Sequence, residues 1–87
     1  MKTKYKGKKN LCGRNIAQLR KALEPKVSQR AFAAKLQLLG MDVDKNAISR
    51  IESGDRFITD IELRIMAAFF KMTTDELQDI SYFFRSN

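Results

Sequence analysis

The stretch FAAKLQLLGMDVDKNAISRIESGDR, residues 32–56, decides the fold. Phe32, Ala33, Leu36 and Leu39 recur at intervals of three and four residues, which places them along one face of a helix. After LLGMDVD the helical period resumes, with Ala47, Ile48 and Ile51 inward. A free tether of that length would carry Gly, Ser and charge; this joint carries Leu, Met and Val instead. With the first helix running through Leu39, Gly40 falls just past the C-cap, where a left-handed backbone costs glycine nothing sterically. Met41 then comes back towards Leu36, three positions from the helix end. Met41 and Val43 are expected on the core, with Asp44 as N-cap of the next helix. Gly54 stands where a left-handed residue ends that second helix.

Helical patterns continue on both sides. Over about 10–23, Cys12, Ile16, Leu19 and Leu23 form a stripe, and Pro25 stops it by pushing its predecessor out of the helical region. Ser28 is the N-cap of the helix that carries Phe32. TDIE at 59–62 and TTDE at 73–76 both read as capping boxes. Leu63, Met66, Ala67 and Phe70 line the helix behind the first box. Leu77, Ile80, Ser81 and Phe84 line the helix behind the second. No alternating run of β-branched and aromatic residues marks a strand. The expected fold is all-α, with five helices over 10–87 and a disordered basic arm over 1–9.

Composition narrows the function. The chain has 87 residues, enough for one domain with a modest core. It has no histidine and one cysteine, Cys12. The usual general base and the commonest metal ligand are missing, and a zinc site is not expected. No paired carboxylates mark a catalytic site, so we expect neither an enzyme nor a cofactor. No apolar run is long enough to cross a bilayer, and no apolar segment follows the basic N-terminus. A cytoplasmic protein without membrane partners is expected.

The charge is polarised. Residues 1–10 carry +5, residues 11–58 carry +4 and residues 59–87 carry −2, within a net charge of +7. Such a distribution suits a molecule that presents one face to a polyanion. The outer face of the helix after Asp44 holds Lys45, Asn46, Ser49, Arg50 and Ser53, one stripe with no acid. Asn can bind adenine through two hydrogen bonds, and Arg can bind guanine likewise. The stripe is therefore a candidate reading surface for DNA.

Four segments together, GRNIAQLRKAL, VSQRAFAAKL, AISRIESGDR and TDIELRIMAAFFKMTTDEL, resemble the Cro/repressor-type (XRE) helix-turn-helix family over about residues 11–80. Ser28-Gln29, Ala33, the Ile48-Ser49/Ile51-Glu52/Gly54 pattern and Glu76-Leu77 occur in the family's order. The resemblance implies a five-helix, lambda-repressor-like DNA-binding domain whose helix-turn-helix is formed by the second and third helices. It implies a transcriptional regulator, in all expectation a repressor, often a homodimer on a palindromic operator. By position it implies DNA contacts from Lys45, Asn46, Ser49 and Arg50, from Gln29 at the start of helix two, and from Arg56 beyond helix three. It also implies an ion pair between Arg20 and Glu52. The joint departs from the family's short form. Gln29 to Ile48 is 19 steps, and Gln37 stands where a glycine is usual.

Two further readings stay open. Ile61, Ile65 and Phe69 form a second stripe that either joins Tyr82 and Phe83 in a dimer contact or packs beneath helix five. The same fold also serves antitoxins and other protein-interaction modules, for which Tyr82, Phe83 and Phe84 would anchor a toxin or other protein partner.

Overall fold

The computed structural model describes residues 8–78. Among these residues lie five helices and no strand: α1 (Gly13–Lys21), α2 (Gln29–Leu38), α3 (Lys45–Ser53), α4 (Asp60–Phe69) and α5 (Thr74–Leu77). The fold is the expected all-α, lambda-repressor-like arrangement. α3 packs on both α1 and α2, and α4 packs on α2 and α5.

Local chemistry sets most boundaries. Ser28, Asp44, Thr59 and Thr73 each accept a hydrogen bond from a backbone amide three residues on. Both capping boxes close, because Glu62 and Glu76 reach back to the amides of Thr59 and Thr73 at 3.1 and 2.8 Å. α1 is shorter than its pattern suggests. Its last turn tightens where the Ala22 amide is shared between the Gln18 and Leu19 carbonyls, so the helix ends at Lys21 rather than near Leu23. It starts at Gly13 rather than Asn10 because the Asn10 side chain accepts from the Gly13 amide.

The joint is an ordered Schellman turn. Gly40 has φ +96°, the Met41 amide donates to the Leu36 carbonyl at 3.0 Å, and the Gly40 amide donates to the Gln37 carbonyl at 3.0 Å. Met41 and Val43 are buried in the same cluster as Leu36. Gln37 adds a strut, its Nε2 donating to the Val43 carbonyl at 2.6 Å. Leu39 departs from expectation. It is the C-cap of α2, off the buried stripe, and stands 50% exposed.

The core gathers Ile16, Phe32, Leu36, Ile48, Ile51, Met66 and Leu77, all fully buried. Phe32 is its centre, with the rings of Phe69 and Phe70 at 5.4 and 5.6 Å. The second stripe of α4 divides. Ile65 and Phe69 pack against the core, and Ile61 stays 72% exposed. Ile80 to Phe84, and residues 1–7 of the expected arm, lie outside the described residues. Lys8 and Lys9 belong to the fold, against the end of α3.

Candidate nucleic-acid interface

α3 is held so that one face looks out. Ile48 and Ile51 are buried, and Ala47 is half-buried. That turns Lys45, Asn46, Ser49, Arg50 and Ser53 to solvent, all exposed. The side chains of Lys45, Asn46, Ser49 and Arg50 make no hydrogen bond or ion pair among the described residues. Ser53 differs, its hydroxyl bonding Asp55 at 2.8 Å. The four other side chains therefore keep their hydrogen-bonding capacity for a ligand.

The helix behind them is anchored through its one inward acid. Glu52 accepts from Arg20 Nε at 2.7 Å and Arg20 Nη2 at 3.0 Å, a bidentate pair between α3 and α1. Arg20 Nη1 also donates to the Val27 carbonyl at 3.0 Å, ahead of α2. Gln29 Nε2 donates to Glu52 Oε1 at 3.0 Å, so one carboxylate ties all three helices. The hydrogen bond to Glu52 raises the Arg20 pKa against the opposing effect of burial, so the guanidinium keeps its charge.

Two of the expected contact residues are thus committed inside the protein. Gln29 gives its amide nitrogen to Glu52 and is half-buried. Arg56 donates to both oxygens of Glu62, at 3.0 and 2.9 Å, and to the Phe57 carbonyl at 3.0 Å. The Arg56 guanidinium in turn holds the Glu62 carboxyl below its ordinary range. Because Glu62 also closes the capping box, Arg56 is built into the start of α4. Arg30 is a residue that the sequence did not single out. It is exposed on α2 and lines an open groove together with Ala33, Ala34, Gln37, Asp44, Lys45 and Asn46. The signal was present, since Phe32 and Ala33 point inward and leave Arg30 on the outer face.

Among the described residues no three His, Cys, Asp or Glu side chains gather as a metal site, and no helix is long and apolar enough to cross a membrane. Cys12 is buried, which pushes its thiol pKa up to about 11.

Comparison with known proteins supplies the assignment. A family model described as helix-turn-helix matches residues 16–77, from the middle of α1 to the end of α5. No curated protein and no solved structure matches significantly. The matched span covers most of the chain and contains the α2–joint–α3 unit together with the Arg20–Glu52 tie. The chain belongs to the helix-turn-helix family of the Cro/repressor (XRE) type, whose members are DNA-binding regulators.

Proposed function

We propose that this protein is a sequence-specific repressor that occupies an operator with α3 in the major groove. Asn46 and Arg50 read base edges there, while Lys45 and Ser49 contact bases or the adjoining backbone. The observation that carries this reading is the row of four exposed, uncommitted polar side chains on a helix anchored at its N-cap and its last turn. Gln29 presents its remaining amide valences at the start of α2, and Arg30 adds a cation to the groove that Lys45 and Asn46 line. Arg56 acts through Glu62, holding the start of α4, rather than as a free phosphate contact. Repression would be steric, by exclusion of polymerase in the cytoplasm.

Phe57 and Ile61 are exposed, and we read them as part of a contact with a second copy on a two-fold operator, the occupant that fits a repressor. Selection of bound duplexes from a random pool tests the whole reading. A half-site motif repeated with two-fold symmetry is expected. Recovery of no motif would remove sequence-specific repression. A stoichiometric protein partner with no selected DNA would point to an antitoxin or interaction module instead.

A further inference from the structure

The C-terminal end of α3 is fastened by the chain ahead of α1. A helix leaves its last carbonyls short of intrahelical partners, and residues 8–10 donate to four carbonyls at or just beyond this end. Lys8 Nζ donates to the Ser53 carbonyl at 2.7 Å. The Lys9 amide donates to the Gly54 carbonyl at 2.8 Å. Asn10 Nδ2 donates to the Ile51 carbonyl at 3.1 Å and to the Arg56 carbonyl at 2.9 Å. Asn10 Oδ1 accepts from the Gly13 amide at 2.6 Å, at the start of α1.

Both amide protons of Asn10 and its oxygen are therefore engaged. The orientation is fixed, because a flipped amide would set its oxygen against two carbonyl oxygens. The three segments it joins are also pressed together. A side chain at Gly13 would run into the Ile51 carbonyl oxygen. One at Gly54 would meet the Lys8 side chain 2.6 Å away. Asn10 thus joins α1 to the end of α3 where the two backbones are too close for a Cβ at Gly13.

We infer that Asn10 is a positioning residue for base recognition, setting the tilt of α3 from its far end. This rests on the reading of α3 as the recognition helix. α3 is 9 residues long, about 13 Å, and its N-terminal end is already set by Asp44 and the Schellman turn. At the other end Glu52 ties the last turn to Arg20 and Gln29, and Asn10 adds the tie to the start of α1. Losing that tie shifts the last turn, which carries Arg50, and bidentate hydrogen bonds are sensitive to such a shift. Lys8 reaches the same end by one exposed bond from the tip of a flexible side chain, where Asn10 makes three bonds from a short one.

The test compares affinity for the duplex selected by the wild type with affinity for a random duplex, by fluorescence anisotropy over a salt series. Each protein is held well below its own unfolding midpoint. Asn10→Ala should lower the selected-to-random ratio about tenfold with the salt slope unchanged. Asn10→Asp keeps the acceptor for Gly13 but loses both donors, and should lower the ratio as well. Lys8→Met should leave the ratio as it is. A purely structural Asn10 would shift the unfolding midpoint and leave the ratio unmoved, and that result overturns the inference. Asn46→Ala, run in parallel, shows whether the reading of α3 falls with it: a lowered ratio there keeps that reading and isolates the failure to Asn10.

Discussion

Removing Glu52 should be the most damaging single charge deletion in the domain. Its carboxylate accepts two bonds from Arg20 and one from Gln29, at 2.7 to 3.0 Å. The side chains of Arg20 and Glu52 are only 10% and 6% exposed. An exposed pair contributes about 0–1 kcal/mol, whereas breaking a buried one costs about 3–5 kcal/mol because a charge is stranded. The burial places this pair in the second class. Arg20 retains the Val27 carbonyl, so we expect Glu52→Ala to cost about 3 kcal/mol, the low end of that range. An 87-residue domain has a total stability of about 4–13 kcal/mol, so this is a large share. Urea unfolding at pH 7 measures it. The double variant Arg20→Met/Glu52→Met, which strands no charge, should lose less than Glu52→Ala alone. A cost under about 1 kcal/mol for Glu52→Ala, or a double variant as damaging as the sum of its parts, would refute the argument.

Three other outcomes follow from single sites. Gly40 has φ +96° and no atom within 4 Å of where a Cβ would stand. Gly40→Ala should therefore cost only the left-handed backbone term, about 1–2 kcal/mol, with Gly40→Asn milder; calorimetry reads it as a lower melting temperature, and an unchanged one would contradict the turn assignment. Glu62 has a folded pKa below its ordinary value of 4.5, first through the Arg56 hydrogen bond. A depressed acid adds stability above its unfolded pKa and loses it as pH falls through the folded value, so stability should drop below about pH 4.5, less steeply in Glu62→Gln. Equal slopes in the two proteins would discount the pair. Cys12, pushed up to about 11 by burial, should resist a thiol-specific disulfide reagent at pH 7 until urea unfolds the chain, and rapid labelling of the native protein would contradict its burial.

What was legible in the sequence was what local chemistry writes there. Ser28, Asp44, Thr59 and Thr73 cap helices through bonds spanning three residues, and Gly40 with Met41 closes a turn whose partners lie within five. Arg20 and Glu52 are 32 residues apart, and their pairing was legible only through the family resemblance. Asn10 was read as the start of a helix because nothing in an asparagine announces carbonyls 41 and 46 residues away. Gln37 and Arg56 show the same blindness at shorter range. Long polar side chains choose partners from the folded surface, and periodicity carries no record of that choice. Leu39 failed for another reason. A helical stripe predicts burial only while the helix lasts, and α2 ends one residue before it. Phe69 went inward where a second stripe left the choice open, because Phe32 offers it a ring at 5.4 Å.

The central claim is that the outer face of α3 reads bases, and a base-substitution scan of the selected operator tests it most directly. Each position of one half-site is changed in turn, and binding is measured for the wild type, Asn46→Ala and Arg50→Ala. If α3 lies in the major groove as proposed, each variant should lose discrimination at its own one or two positions, by about 1–3 kcal/mol, and keep it elsewhere. A loss spread evenly over every sequence would make these side chains backbone contacts. Wild-type discrimination in both variants would place the reading surface somewhere other than α3.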